Sequence, residues 1–169
     1  ADSQSLTGVT LTTDNGEPVS PTRCRISVCD ARPRVFNGTV LENMTAFDAD
    51  ATDRALLLSE KIGLSEAIGR LRDGVETPLS PGLGVPLSDG HLKRLMLVRA
   101  MSCQPQVLLL NWPSQYLDAA GTEKLADLLK GLEGETTVIV FESANGLVTR
   151  FDEVRDLPVL PSTGAEVAA

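Results

Sequence analysis

The residues whose types and spacing could do chemistry lie between Leu87 and Asp118. This stretch reads LSDGHLKRLMLVRAMSCQPQVLLLNWPSQYLD. A turn with two small residues and an acid leads into an amphipathic helix, and the apolar run 107–110 precedes a polar loop ending at Asp118. This order is typical of a phosphate-contacting loop, a helix, a buried strand and a catalytic loop. The positions expected to hold catalytic residues, however, carry Asn111 and Trp112.

Composition limits the class of protein that carries this stretch. The 169 residues are 42% hydrophobic and 22% charged, which fits one globular domain with a sizeable core. A net charge of -8 without any basic run argues against nucleic acid as a partner. No apolar run approaches the roughly 20 residues of a membrane helix. The N-terminus resembles no signal peptide and lacks an initiator Met, which indicates a fragment or a processed chain.

The cysteine and histidine content predicts no metal site. The three cysteines, Cys24, Cys29 and Cys103, form no CxxC pair, and His91 is the one histidine. An odd number of unpaired cysteines is typical of free thiols in a reducing compartment. We expect these thiols to be buried or half-buried.

Hydrophobic patterning predicts a parallel α/β sheet. Apolar strands are expected at about residues 26–29, 107–110 and 137–141, and strands alternate with helices in the second half of the chain. Shorter strands are predicted at 6–12, before an Asn15-Gly16 turn, and at 153–157. Residues 158–169 are predicted to be a C-terminal tail.

Helices are expected to dominate residues 37–95 and form a separate lobe. A short helix is predicted within 36–44, with further helices at 52–62 and 65–72 and loop over 73–90. Leu56, Leu57 and Leu58 are among the apolar positions of the helix at 52–62. The next helix is predicted to start near Asp89 as its N-cap, with Leu92, Leu95, Met96, Ala100 and Cys103 on one face, and a later one to start at Thr122. The second of these carries a leucine stripe at positions 125, 128, 129 and 132. A short helix is also expected near 145–150.

Four segments, which carry five motifs in order, resemble the nucleotide-binding domain of ATP-binding-cassette (ABC) exporters. ISVCDARPRVFNGTVLENM is similar to the Q-loop region, and IGLSEAIGRLRDGVETPLSPGLGVPLSDG to the helical subdomain and its approach to the signature LSGGQ. VLLLNWPSQYLD resembles the Walker B and D-loop pattern LLLDEPTSALD, and TVIVFES the H-loop strand.

The resemblance implies a fold, partners and a location. It implies a partial P-loop NTPase sheet of the ABC type with a helical subdomain, spanning residues 1–157 as one region. In such exporters two nucleotide-binding domains sandwich ATP, each lending its signature loop to the other's Walker A site. A second such domain, identical or different, and an exporter transmembrane domain are therefore the implied partners. The implied location is cytoplasmic, at the inner face of the cell membrane.

The departures from the family pattern carry the functional message. The Walker A motif GxxxxGK[ST] is absent, because the chain has no Gly-Lys pair. Ala31 stands where the Q-loop glutamine belongs, Asn111 at the Walker B aspartate, Trp112 at the catalytic glutamate and Ser143 at the H-loop histidine. The signature-like positions are Leu87, Ser88, Asp89, Gly90 and His91, and Asp118 matches the D-loop.

These replacements remove groups that phosphoryl transfer requires. Amides and a lysine must cradle the phosphates, and a carboxylate must hold Mg²⁺. A positioned base contributes about 100- to 10,000-fold, and Trp112 cannot accept a proton. Asp89 places a negative charge where a partner's γ-phosphate would sit, which at 4 Å repels by about 1–4 kcal/mol. ATP and Mg²⁺ are therefore expected only in complex with a partner, and no hydrolysis by the chain alone.

Simpler interpretations of the same residues stay open. Asn111 and Trp112 could hydrogen-bond and pack at a strand end, although Trp112 could also stack on an adenine. His91 could be a solvated helix-start residue or could bridge to a phosphate across an interface. Asp89 and Asp118 could be plain helix caps.

Three hypotheses remain for the whole chain. The first is a degenerate ABC exporter domain that pairs with a competent one. The second is a regulatory or protein-interaction module that kept the fold and lost ATP. The third is a decaying remnant. An upstream Walker A and an adjacent membrane domain in the complete gene would separate the first from the other two.

Overall fold

Ten helices and strands make up the regular structure that a computed structural model describes for residues 16, 24–81, 86–143, 147–151 and 153–155. In chain order they are β1 (Ile26–Cys29), β2 (Gly38–Thr39), α1 (Val40–Thr45), α2 (Thr52–Lys61), α3 (Ser65–Gly69), β3 (Pro78–Leu79), α4 (Asp89–Ser102), β4 (Val107–Asn111), α5 (Ala119–Lys130) and β5 (Thr137–Phe141). Short 3-10 turns lie at Ala49–Ala51, Gly74–Glu76 and Val148–Arg150.

The predicted parallel sheet is confirmed, with strand order β1-β4-β5. β1 and β4 pair from Ile26 opposite Val107 to Cys29 opposite Leu110. β4 and β5 pair from Val107 opposite Thr137 to Asn111 opposite Phe141. The chain segments after the three strands therefore emerge side by side at one edge, which we name the carboxyl edge. In open α/β sheets this edge is where ligands bind.

Helix α4 is the central element of the core. It packs against β1, α1 and α2, and its residues 95–98 are all buried. The amphipathic stripe predicted for this helix is too narrow, because the helix is covered by the sheet on one side and by the helical lobe on another. Leu95, Met96 and Ala100 of the predicted stripe are buried, whereas Leu92 and Cys103 are half-buried.

The segment predicted to be a helical lobe contains α1, α2 and α3, with the small hairpin of β2 and β3 beside them. Helix α2 buries Ala55 and Ser59 rather than its leucines. Leu56 and Leu57, two of the apolar positions in the predicted helical pattern, are 40% and 51% exposed. Three consecutive leucines cannot all face inward from a helix with 3.6 residues per turn.

Both predicted N-caps are displaced by a few residues. Ser88, not Asp89, caps α4 by accepting from the amide of His91. Asp118, not Thr122, caps α5 by accepting from the amide of Gly121. In each case the capping oxygen serves the third residue of the helix, so the helix starts earlier than the apolar pattern indicates.

The remaining predictions lie partly outside the described residues. The strand predicted at 6–12, most of the Asn15-Gly16 turn and the tail at 158–169 fall there. Residues 153–155 have no regular structure, so the strand predicted at 153–157 is wrong over that part. No helix within the described ranges is long and apolar enough to cross a bilayer.

Candidate functional site

The carboxyl edge brings together residues at the ends of all three strands. The register places Asp30 beside Asn111, whose own neighbour is Phe141 on β5. The Asn111 amide nitrogen donates to the Asp30 carboxylate at 3.5 Å, a long hydrogen bond. Asn111 thus makes the strand-end hydrogen bond expected of the simpler interpretation. Its side chain keeps an oxygen at the Walker B position but carries no charge.

A lysine that the sequence did not single out lies beneath this edge. The Lys93 side chain is fully buried and comes from α4. Its Nζ donates to the carbonyl oxygens of Asp30 at 2.8 Å, Ala31 at 3.3 Å and Asn111 at 3.4 Å. Ala31, at the position of the Q-loop glutamine, therefore contributes its backbone to the edge.

Burial shifts the pKa values of Lys93 and Cys29, the two titratable groups below the edge, in opposite directions. It lowers the pKa of Lys93, an effect opposed by the nearby Cys29, Glu142 and Asp30. It raises the pKa of the Cys29 thiol, an effect opposed chiefly by Lys93 and Arg99. Each group is harder to ionise when it leaves water for the protein interior.

Trp112 leaves β4 in a left-handed conformation and reaches solvent. Its φ is +48°, and its side chain is 45% exposed. Its amide donates to the carbonyl of Phe141 at 2.7 Å, which extends the pairing of β4 with β5 by one bond. Slightly more than half of the Trp112 surface is therefore buried at the strand end, and the rest lies in solvent.

The carboxylate of Glu142, the residue directly after β5, is hydrogen-bonded to other groups of the chain. Glu142 accepts from the amide of Ser114 at 3.0 Å, from its hydroxyl at 2.6 Å and from the amide of Ser143 at 3.1 Å. Ser143, at the H-loop position, is exposed and is fixed here through its backbone. These bonds tie the loop after β4 to the exit of β5.

The signature-like loop lies at the start of α4. Leu87 is buried, whereas Ser88 and Asp89 are exposed. The Ser88 hydroxyl lies 2.9 Å from Nδ1 of His91 besides accepting from the His91 amide at 3.4 Å. Burial and the neighbouring Arg94 and Arg70 lower the pKa of His91, so this imidazole favours its neutral form.

The signature-like loop contacts the D-loop-like segment of the same chain. A Cβ on Gly90 would lie 2.8 Å from the carbonyl oxygen of Tyr116, so only glycine allows this approach. Nη2 of Arg94 donates to the Asp118 carboxylate at 2.7 Å. The Gly121 amide and this guanidinium lower the pKa of Asp118. The predicted capping role of Asp118 is confirmed, and it is combined with an ion pair.

A second buried cluster holds the Q-loop-like segment against α4. Asn43 is fully buried; its oxygen accepts from the Phe36 amide at 2.8 Å and from Nη2 of Arg99 at 2.7 Å. Nε of Arg99 donates to the Asn43 carbonyl, and its guanidinium lies 4.4 Å from the Phe36 ring. Burial lowers the pKa of Arg99 to about 10.

The donors at the carboxyl edge do not suit a divalent metal ion. Mg²⁺ in nucleotide sites takes one or two carboxylates besides phosphate oxygens and water. Glu142 is bonded to Ser114 and Ser143, and Asp30 accepts from Ala31. The buried ammonium of Lys93 adds positive charge at the same place. Among the described residues no group of three or more His, Cys, Asp or Glu could hold a metal.

Several curated proteins are similar to the chain, although no family model matches it. The ABC-type transmembrane transporter verA of Clonostachys rogersoniana is 33% identical over 127 residues, 73% of this chain and 10% of that protein. The type I secretion system ATP-binding protein PrsD of Rhizobium meliloti (strain 1021) is 30% identical over 107 residues, which are 63% of this chain and 18% of that protein. The phosphate import ATP-binding protein PstB 2 of Synechococcus sp. (strain JA-2-3B'a(2-13)) is 32% identical over 124 residues, which are 73% of this chain and 46% of that protein.

The fold of the chain matches that of a solved ABC exporter structure. A bacterial Atm1-family ABC exporter with ATP bound superposes with a TM-score of 0.64 at 20% identity, over 76% of this chain and 24% of that one. The sequence relatives and this fold agree on one family. The chain belongs to the ABC family. The predicted ABC ATPase-like fold is thereby confirmed, and the chain is part of an ABC nucleotide-binding domain.

The chain is much shorter than its curated ABC relatives. It spans 10% to 46% of the length of the three curated ABC relatives.

The site residues deduced from the ABC motifs fall into two groups. Ala31, Asn111, Trp112 and Ser143 lie at or beside the carboxyl edge. The loop 87–91 lies instead with Asp118 at the starts of α4 and α5.

Sequence reasoning missed three residues that organise these groups, namely Lys93, Asn43 and Arg99. Their types were visible, but their burial was not. A lysine within the run LKRLMLV and an asparagine within VLENM are weak signals, since both types usually lie on the surface. The clearest signal was positional, because Lys93 falls between helix positions predicted to face the core.

Proposed function

We propose that the chain is the nucleotide-binding region of an ABC exporter that does not hydrolyse ATP by itself. It pairs with a second nucleotide-binding domain, identical or different, that is competent for hydrolysis. ATP and Mg²⁺ are then engaged only in that pair, at the partner's nucleotide site. The pair lies at the cytoplasmic face of a membrane, attached to an exporter's transmembrane domain.

The observation that carries this proposal is the contrast between the two groups of site residues. The carboxyl edge carries Asn111 at the end of β4 and Trp112 directly after it, where the ABC pattern has two acids, and a buried lysine lies below. The signature-like loop keeps Ser88 exposed at the start of α4, and Gly90 closely packed. A helix start supplies free amides that suit a phosphate. The chain therefore retains the loop it would lend and lacks the groups it would use.

The same proposal assigns the site residues and the domain. Residues 1–157 form one nucleotide-binding-domain-like region, and 158–169 its tail. Loop 87–91 contacts the partner's nucleotide, and Asp118 supports it through Arg94. Ala31, Asn111, Trp112 and Ser143 are the degenerate positions of this chain's own site.

The alternative, a regulatory or protein-interaction module without ATP, is favoured by one observation. The Ser88 hydroxyl is already bonded to His91, both as a cap and at Nδ1. A phosphate would have to displace at least one of these contacts. If that displacement is too costly, the loop serves the fold alone.

Complementation in trans separates the two functions. The chain is mixed with a hydrolysis-competent ABC exporter domain, sought first in the complete gene and beside it, and ATP turnover is measured. The proposal predicts stimulation by the chain, and at least a roughly ten-fold weaker effect for Ser88→Ala. Ser65→Ala, at an exposed helix start, is the matched control and should stimulate fully. No stimulation by the unaltered chain would favour the alternative.

A further inference from the structure

Lys93 is the one charged side chain that is fully buried among the described residues. Burial of an unpaired ammonium is costly, so such a group is found where it is bonded and surrounded by negative charge. Its partners are three carbonyl oxygens and no donors. An ammonium has three donors and no acceptor, whereas a neutral amine has only two. Three acceptors therefore fit the charged form.

The three carbonyls come from two different strand exits. Asp30 and Ala31 come directly after β1, and Asn111 ends β4. One ammonium therefore holds two neighbouring loops of the carboxyl edge in a fixed relation. This resembles the role of a bound cation, which collects oxygen ligands from separate loops.

The surroundings of Lys93 are negative, but no carboxylate touches it. Asp30 contributes its carbonyl to Nζ while its side chain is half exposed toward Arg34. Glu142 acts on Lys93 through space and is bonded to serines. The Lys93 ammonium is therefore held by carbonyl oxygens, while the nearby carboxylates act on it only through space and form no ion pair with it.

We propose that Lys93 is the resident cation of the carboxyl edge, joining the exits of β1 and β4 and excluding a divalent metal ion. This inference concerns the edge itself and holds whether or not the chain lends its signature loop. It also predicts the effect of restoring an acid at position 111. A carboxylate there would be captured by the Lys93 ammonium rather than become a metal ligand.

The unaltered chain offers the first test, which needs no variant to fold. The chain is labelled with ¹⁵N at the lysine side chains, and Mn²⁺ is added as a paramagnetic probe to millimolar concentration. The Lys93 ammonium signal, slowed in exchange by its three hydrogen bonds, should broaden no more than those of the exposed Lys61 and Lys130. Selective broadening of Lys93 would place Mn²⁺ at the edge and overturn the proposal.

The second test compares two variants by direct Mn²⁺ titration. Asn111→Asp alone should bind Mn²⁺ as weakly as the unaltered chain. Adding Lys93→Gln should tighten binding at least roughly ten-fold, because a unit charge a few ångströms away is worth more than a decade in ion affinity. Lys61→Gln added to Asn111→Asp is the matched control, since Lys61 is exposed at the end of α2.

Two results would contradict the inference in this second test. Equal Mn²⁺ affinity in Asn111→Asp and in the double variant would mean that Lys93 does not exclude the ion. An equal gain from Lys61→Gln would mean that only net charge matters. Circular dichroism of each variant verifies that the fold is kept, and the NMR measurement decides if Lys93→Gln unfolds.

Discussion

At the residue scale, single buried polar groups decide how the loops of this domain are held. Lys93 joins two strand exits, and Asn43 with Arg99 fixes the Q-loop-like segment to α4. Each is satisfied by several hydrogen bonds, which is the condition for keeping polar atoms in a core. Because these bonds go mainly to backbone atoms distant in sequence, no spacing of residues along the chain predicts them.

Asp118 gives a prediction about pH at this scale. Its carboxylate accepts from the Gly121 amide and pairs with Arg94, which lowers its pKa from the usual 3.8 in the folded state. Stability from a lowered carboxyl pKa is fully present above the unfolded value and is lost as pH falls through the folded pKa. Asp118→Asn keeps a capping oxygen but removes the charge.

We therefore expect Asp118→Asn to melt at a lower temperature than the unaltered chain at neutral pH, with the difference shrinking below about pH 4. Thermal melts from pH 7 to pH 3 measure this. The control Asp73→Asn changes an exposed aspartate without a side-chain cap bond, and its difference should not depend on pH in this way. A constant Asp118→Asn difference across the range would disprove the linkage.

At the element scale, the sequence predicted which segments are strands and helices better than where each begins. The three parallel strands were predictable because continuous apolar runs between polar loops favour buried strands. The caps were misplaced by one residue at α4 and by four at Thr122, because capping depends on backbone conformation that composition does not reveal. The exposure of Leu56 and Leu57 depends on which side of α2 meets α4, which only packing decides.

Two helical glycines give opposite predictions for the same substitution. A Cβ on Gly121 of α5 would lie 2.7 Å from both the Arg94 guanidinium and the Asp118 carboxylate, whereas one on Gly69 of α3 would meet nothing within 4 Å. Alanine favours a helix over glycine by about 1 kcal/mol. Gly69→Ala should therefore gain up to about 1 kcal/mol. Gly121→Ala should lose about 1–3 kcal/mol through overpacking.

Urea unfolding of the two glycine variants beside the unaltered chain measures the difference. If Gly121→Ala proved as stable as Gly69→Ala, the close packing of the signature-like loop, Arg94 and α5 would not exist as described. The comparison is internally matched, since both changes add one methyl group to a helix.

At the scale of the whole molecule, β5 forms one side of the three-stranded sheet within the described residues. Ile139 and Phe141 are 38% and 44% exposed there. An apolar sheet edge with unpaired backbone groups favours pairing with another chain. We expect the isolated chain to self-associate with increasing concentration, and Ile139→Lys to reduce that association.

Sedimentation velocity over a range of concentrations measures this self-association. Leu57→Lys serves as the matched control, because Leu57 is an exposed leucine on α2, away from the sheet. Association that Leu57→Lys reduces as strongly as Ile139→Lys would place the contact elsewhere. A chain that stays monomeric at all concentrations and melts sharply at high temperature would contradict the expectation.

The motifs at the carboxyl edge predict a loss of chemistry, which stays a prediction, but they did not indicate the buried lysine beneath them. Asn111 and Trp112 were identifiable by their position in the Walker B-like segment. The ammonium beneath them was not, because its place depends on α4 lying under two strand exits at once. Both observations lead to the same expectation for catalysis by the chain alone.

ATP turnover by the double variant Asn111→Asp with Trp112→Glu tests the central claim most directly. It restores a carboxylate and a base, yet correct positioning of a bound nucleotide is worth about 7–11 kcal/mol and nothing among the described residues supplies a phosphate cradle. We predict turnover equal to a matched blank for both the unaltered chain and the variant. Turnover above the blank that rises in proportion to the purified variant's concentration would contradict the account.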